Sequence, residues 1–332
     1  MSLKIIRPGL MTTLQDTGRF GWQKIGVITS GAMDVYSLRM ANILVGNDEH
    51  EAAMEITLTG PTIEFTADTL IAITGGDLAP IIDGQVVPTL RPVAVKAGAI
   101  LKFTACRTGC RAYLAVAGGY DVPRVMGSKS TYLRAGIGGY EGRALQKGDY
   151  LTTGEPSEYA QQMMFNLLSS GAHSFMHAKW YISKAHTSRE NLKKPIRVRA
   201  GLQYDEFTDK AKFDFGDSDF LITTRSDRMG YRLSGPVLST AKHLEMISEV
   251  ASLGTIQVPP DGEPIILMAD HQTTAGYPVI GQIVSVDVAR IAQMKPGDHI
   301  SFKLISNEEG ERLFIDMEKC IENLKIAVNG KL

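Results

Sequence analysis

The chain has 332 residues, a length that fits about two domains. Hydrophobic residues make up 44% and charged residues 21%, which excludes intrinsic disorder. The 35 basic and 36 acidic residues leave a formal charge of -1, which excludes a general attraction for nucleic acid or an anionic membrane. The 33 glycines exceed the usual share of roughly 7%, and in so apolar a chain they point to tight turns and a β-rich architecture.

The N-terminal apolar run is broken by Arg7, Pro8 and Gly9 and does not read as a signal peptide. No apolar segment reaches about 18 uncharged residues, so no bilayer-spanning helix is expected. The three cysteines, Cys106, Cys110 and Cys320, give an odd count with C-x3-C spacing. That is neither a disulfide framework nor a zinc pattern, so they read as buried thiols in a reducing cytoplasm.

Short strands and turns fill the first 30 residues. Asp34 then stands where a helix N-cap would, and Leu38, Ala41, Leu44 and Val45 recur at helical spacing up to Gly46-Asn47. From Glu55 to Leu151 strands dominate: Thr62–Phe65, Leu70–Thr74, Ile81–Ile82, Val93–Val95, Ile100–Thr104 and Ala112–Ala117, with a hairpin turn at Asp83-Gly84. Residues 156–194 read as a linker or insertion with a helix near Glu158–Leu168. A second β-rich region follows from Ile196 to about Leu304. The last segment places Leu313, Phe314, Met317, Cys320, Ile321 and Leu324 on one face of a docking helix.

The expected organisation is mainly β: an N-terminal β-rich lobe over 1–155, the linker, a β-barrel lobe over 195–306, and a helix over 307–332. Gly148-Asp149 and Gly297-Asp298 each precede an apolar strand, a weak sign of duplication.

Standard nucleotide motifs fail. Gly136–Gly142 does not fit G-x-G-x-x-G, and Gly127-Ser-Lys-Ser130 lacks the earlier glycine of a P-loop, since position 122 is Val. Met294-Lys295-Pro296 does not match a biotin-carrier hairpin. His173, His177 and His186 have no third ligand at a zinc interval, so no metal site is expected.

Four segments concentrate polar chemistry. Asp16 and Arg19 flank a glycine, the first able to take a proton and the second to clamp a carboxylate or phosphate. Ser128–Arg134 with Gly136–Arg143 offers cations, hydroxyls and turn N–H groups for an anion. Arg225–Arg232 holds Asp227, Arg228, Tyr231 and Arg232. Gly254–Gly262 and Ala269–Pro278 put Asp270, Gln272, Thr273, Thr274 and Tyr277 on a loop after a core strand. No Ser–His–Asp or Cys–His triad is visible. By pattern alone this is an anion-binding β protein.

Gln15–Arg19, Ala112–Gly119, Ser130–Arg134, Arg225–Gly235 and Gly254–Pro278 resemble the allophanate hydrolase subunit 2 family. That family includes 5-oxoprolinase C subunits and one half of the carboxyltransferase region of urea carboxylase. The likeness runs from about Gly9 to Phe302. It implies a cyclophilin-like β-barrel architecture and a partner of the KipI-like, allophanate hydrolase subunit 1 type. For the 5-oxoprolinase members it further implies a LamB/YcsF-type subunit and ATP, with Mg, for opening the lactam of 5-oxoproline.

On that reading Arg228 and Arg232 neutralise phosphate or substrate carboxylate, and Asp227 or Asp16 is a base or metal–nucleotide ligand. Gln272, Thr273, Thr274 and Tyr277 hold the amide, with Arg19, Arg134 and Tyr231 also in the substrate set. Two alternatives stay open. One is a biotin-dependent carboxyltransferase acting on urea or an amide. The other is a non-enzymatic regulator that binds a KipI-like kinase inhibitor.

Overall fold

The computed structural model describes residues 2–169, 171, 173–183 and 188–330. Two β lobes lie in series. In the first, one sheet runs in the order Tyr150–Thr152, Ser2–Arg7, Thr62–Phe65, Ile100–Phe103, Pro80–Ile82 and Gln85–Val86. The second runs Phe175–His177, Val93–Val95, Thr69–Asp77, Thr108–Val116, Ala53–Thr57 and Met11–Gln15.

The central strands of this second sheet are buried on both faces, and the two-residue side-chain period sorts them. Ile71, Ile73, Ala112 and Leu114 join the core between the sheets, with Leu3, Phe65 and Leu101 from the first sheet. Leu70, Ala72, Tyr113 and Ala115 face the helices instead. Alanine at two of these outer positions lets helix α1 (Val35–Leu44) lie close to the sheet. Asp34 caps α1, its carboxylate accepting from Ser37 N at 2.9 Å and Ser37 Oγ at 2.6 Å.

The stretch expected to be a linker is built into this lobe. Helix α2 (Glu158–Leu168) covers the outer face of the second sheet, and Phe175–His177 adds an edge strand beside Val93–Val95. A single turn, α3 (Arg189–Leu192), leads on. His173 and His177 are exposed on and beside that edge strand, not on a helix, and His186 lies outside the described residues. Among the described residues no three metal-ligating side chains converge.

The second lobe is one sheet in the order His299–Ile300, Phe220–Ile222, Gly230–Ser234, Ile265–Leu267, Thr255–Gln257, Val279–Ile283, Ile196–Ala200 and Phe302–Leu304. Its two edges are neighbours in sequence. Ile300 pairs with Phe220 at one edge and Phe302 pairs in parallel with Ile196 at the other, so the segment 299–304 closes the sheet into a barrel. The barrel is filled by Ile196, Phe215, Phe220, Leu233, Ile266 and Phe302, with Phe215 stacked on Phe302 at 4.7 Å. Phe215 comes from α4 (Asp209–Asp217), while α5 (Ser285–Ala292) buries Val288 and Ile291 against the barrel. Glu249–Val250 and Thr274–Ala275 form a separate two-stranded flap.

The Gly-Asp pairs are geometrically equivalent. Gly148 N donates to Ile5 O and Ile5 N to Asp149 O, and Gly297 N donates to Ile222 O and Ile222 N to Asp298 O. Each aspartate also accepts from the backbone N–H three residues back, at 2.7 Å from Gln146 and 2.9 Å from Lys295.

The terminal helix α6 (Asn307–Asn329) packs on α1 and α5. Its buried stripe is narrower than the sequence predicts: Ile321 and Val328 are buried, Met317 and Leu324 partly so, and Phe314 and Cys320 are exposed. The reading of the cysteines as buried holds only for Cys110; Cys106 lies in an exposed loop and Cys320 on the open side of α6. No helix among the described residues is long and apolar enough to cross a membrane.

Candidate functional site

The four polar segments meet where the lobes join. Asp16 follows the strand Met11–Gln15, and its carboxylate is reached by residues more than 110 positions away. It accepts from Ser128 Oγ at 2.7 Å, Lys129 N at 2.6 Å and Ser130 Oγ at 2.5 Å, and also from Gly18 N at 2.8 Å. Asp16 is therefore a buried anchor for the 128–131 turn, with its lone pairs spent, and not an open base. Arg19 is wholly buried beside it, donating to Val125 O at 3.0 Å and Ser130 O at 2.9 Å. Its Nη1 is buried with no hydrogen-bond acceptor among the described residues. Burial lowers the Arg19 pKa, and the charges of Asp16 and Asp270 oppose that shift.

Ser30 links this half to the barrel lobe. Its Oγ donates to Asp270 Oδ1 at 2.7 Å and lies 3.4 Å from Thr131 O. Ser30 has φ of 55°, a left-handed conformation that a non-glycine residue adopts at a cost.

Arg228 and Asp270 stand side by side because Asp270 N donates to Arg228 O, extending the pairing of Gly230–Ser234 with Ile265–Leu267. Arg228 Nε and Nη2 fork onto Asp270 at 2.9 and 3.1 Å, Nη1 bonds Glu55, and Nη2 also reaches Gly31 O at 2.5 Å. Burial opposes the Arg228 charge, but Glu55 and Asp270 outweigh it, so its pKa sits above the usual value. Held by two carboxylates, Arg228 is a positioning residue here, with little donor capacity left for an anion.

The network continues inward. Glu55 lies opposite Tyr113 in the sheet and accepts from Tyr113 Oη at 2.7 Å and Met33 N at 2.8 Å. Asp34 N donates to Tyr113 Oη at 2.8 Å, and Gln293 Nε2 donates to Asp34 Oδ2 at 2.7 Å. Gln293 Oε1 accepts from Cys110 N and Arg111 N. Arg111 donates to Tyr231 Oη at 2.7 Å and Ala292 O at 2.6 Å. Burial pushes the Asp34 carboxyl up, and it pushes Tyr231 up to about 12. Tyr231 is thus an internal lobe-to-lobe contact and not a ligand-facing group.

Several of the expected residues lie apart from this junction chemistry. Asp227 is exposed and closes its own turn, accepting from Met229 N at 2.8 Å and Gly230 N at 3.2 Å. Arg232 and Arg134 are exposed, and neither side chain bonds another described residue. Gln272, Thr273, Thr274 and Tyr277 lie on or beside the flap that follows Asp270, mostly open to solvent. His271, in the same loop, has its pKa lowered by burial, and its Nδ1 lies 2.6 Å from Gln272 O.

Sequence reasoning missed Ser30, Glu55, Arg111, Tyr113 and Gln293. A usable signal existed for three of them. Glu55 interrupts Ala53–Thr57, Arg111 interrupts Thr108–Val116, and Gln293 follows the apolar turn of α5; a charge or amide inside a core run needs a buried partner.

The glycine-rich loop does not fit a triphosphate. Gly136 N, Gly139 N and Gly142 N donate to Leu133 O, Lys129 O and Gly138 O, so these N–H groups are spent within the turn. A Cβ at Gly138 would lie 2.0 Å from Ser130 O, and one at Gly142 would lie 2.0 Å from Gly136 O. These glycines exist for close backbone packing around the Asp16 and Arg19 segment.

A family model described as carboxyltransferase domain, subdomain A and B, matches residues 25–304. The chain is 39% identical over 322 residues to the C subunit of 5-oxoprolinase from Escherichia coli (strain K12), 97% of each chain. It is 35% identical over 319 residues to the 5-oxoprolinase C subunit of Haemophilus influenzae, 96% of each chain. Among solved structures, the urea amidolyase of K. lactis superposes with a TM-score of 0.85 at 31% identity, covering 97% of this chain and 20% of that one.

Proposed function

The chain belongs to the carboxyltransferase domain (subdomain A and B) family, and on that premise we propose that it is the C subunit of an ATP-dependent 5-oxoprolinase complex, which opens 5-oxoproline to L-glutamate. The observation that carries this reading is the end-to-end match with two proteins named as C subunits of 5-oxoprolinase, each covered over 96% or more. The urea amidolyase contains a comparable unit as only 20% of its chain.

A lactam is a stabilised amide, so its hydrolysis needs a group that activates the carbonyl and a site that fixes the ring. In this reading the chain supplies the second. The exposed Arg134 and Arg232, whose side chains have no partner among the described residues, are the donors left for the substrate carboxylate. Arg228 forks onto Asp270 and fixes its orientation at the base of the flap, from which Gln272, Thr273, Thr274 and Tyr277 hold the amide. Because the glycine-rich loop does not fit a triphosphate, ATP and its Mg belong to the rest of the complex, a KipI-like subunit and a LamB/YcsF-type subunit.

The test is reconstitution. The three subunits together, with ATP, should release glutamate from 5-oxoproline, and omission of this chain should abolish release. Full turnover without it would sink the reading. The likeness to a urea amidolyase favours one second reading, carboxyl transfer from biotin to an amide nitrogen. Loss of activity on adding avidin would support that reading over the first.

A further inference from the structure

A cleft of roughly 850 Å³ opens beside Met33, Val35 and Tyr36, where α1, α5 and α6 meet the barrel strands Ile196–Ala200 and Val279–Ile283. That size is typical of small-molecule sites, and junctions between packed units are where such sites occur. Its floor is apolar, formed in part by Met33, Leu253, Val288 and Phe314.

The charges around it are unequal. Arg39, on α1, forks onto Glu318 at 2.6 and 2.8 Å and also bonds Glu49 at 2.8 Å. Arg197, on the barrel strand Ile196–Ala200, forks onto Asp287 at 3.0 and 2.5 Å. Arg199, two residues on, lines the cleft and has one partner among the described residues, the neutral amide of Asn307 at 3.0 Å. Among the described residues no carboxylate pairs with it, and it stands on the rim of an apolar pocket.

Gly310 adds a second observation. It lies inside the first turns of α6, where glycine is unfavourable, and its φ is not left-handed. A Cβ there would meet only Val284 Cγ1 at 3.4 Å and Arg199 Cδ at 3.9 Å, both ordinary contacts. Neither the helix nor its packing requires the glycine, and the room it leaves lies beside Arg199. Glu311, next to it on the same wall, is exposed and acidic. One guanidinium whose partner is a neutral amide suits a single negative charge better than a phosphate dianion.

We propose that this cleft binds a small amphipathic monocarboxylate, with the carboxylate on Arg199 and the apolar body on the Met33, Leu253 and Val288 floor. The assignment is independent of the 5-oxoprolinase reading, and its test reads binding and not turnover.

The probe is 11-(dansylamino)undecanoate, followed by fluorescence enhancement, with decanoate and decanol as competitors. The wild-type chain should bind the probe saturably, and decanoate should displace it at least about tenfold better than decanol, since a charge-assisted bond is worth about that factor. Arg199→Met, which keeps the aliphatic stem, should erase the preference for decanoate over decanol. Gly310→Leu and Ser285→Trp, each filling the cleft from a different wall, should abolish probe binding while their thermal transitions stay close to that of the wild type. Because Ser285 is an exposed position, its variant keeps the test open if the Gly310→Leu variant does not fold. Absence of probe binding, equal competition by decanol, an unchanged Arg199→Met variant, or binding that survives both fillers would each overturn the proposal.

Discussion

Ser30 and Asp270, 240 residues apart, share a 2.7 Å hydrogen bond that ties the first lobe to the barrel lobe. The serine holds a left-handed φ of 55° to make it. Two substitutions separate the bond from the backbone cost. Ser30→Ala keeps the strain and loses the bond, and should destabilise by about 1 kcal/mol in urea titrations. Ser30→Gly loses the bond but relieves the strain, and should come out more stable than the alanine variant. The two should reduce turnover of the reconstituted complex alike if Asp270 orientation is what matters.

Arg228 joins Glu55 and Asp270 in a buried triad with side-chain exposures of 12%, 2% and 8%. Arg228→Met leaves two buried carboxylates without their cation, and should cost about 3–5 kcal/mol. Arg228→Lys retains charge but cannot fork, so it should fold with a smaller loss and still lower turnover. A lysine variant with wild-type kcat would show that bidentate geometry is irrelevant to the site.

Gly138 and Gly127 both have left-handed φ, 70° and 82°, but different surroundings. At Gly127 a Cβ meets open space, so Gly127→Ala should cost about 1 kcal/mol of backbone strain. At Gly138 it would press on Ser130 O and on Arg19 Nη2, 2.8 Å away, so Gly138→Ala should cost at least about 3 kcal/mol. Chemical denaturation of the pair checks this directly.

Docking of α6 should be acid-sensitive. Arg39 holds Glu318 below the ordinary glutamate value against the opposing effect of burial. At Glu49 burial pulls the other way most strongly, yet Lys325 and Arg39 together still leave its pKa lowered. A depressed carboxylate adds stability that is complete above its unfolded pKa of about 4.3 and is lost as pH falls through the folded value. The protection factors of the α6 amides, observed exchange corrected for the intrinsic rate at each pH, should therefore be high at pH 7 and fall selectively below about pH 4. Glu318→Gln should show part of that loosening already at pH 7. Equal protection factors in α6 at both pH values would refute the clamp.

The network Asp34–Gln293–Arg111 makes a related claim about the lobe junction. Gln293 serves two N–H donors, one carbonyl and the Asp34 carboxylate. Gln293→Leu should destabilise by about 2–3 kcal/mol, because several buried polar groups lose their partner together.

Local structure and the chemistry carried by each lobe were legible in the chain alone. Asp34 as a cap, the helix at Glu158–Leu168, the strands punctuated by glycine and proline, and the four polar segments are all local signals, set by hydrogen bonding and periodicity over a few residues. The segment 156–194 was less legible, since an edge strand of three residues has no period to read. Side-chain role was not legible at all. Asp16 looked like a base until Ser128, Lys129 and Ser130 filled its lone pairs, and Arg228 looked like an open anion clamp until Glu55 and Asp270 enclosed it. A carboxylate's availability depends on which donors reach it, and here those donors come from more than 110 positions away. They arrive when the first lobe folds back on itself, and Glu55 reaches Arg228 only when the barrel lobe docks on the first, because no interaction over a few residues can span those separations.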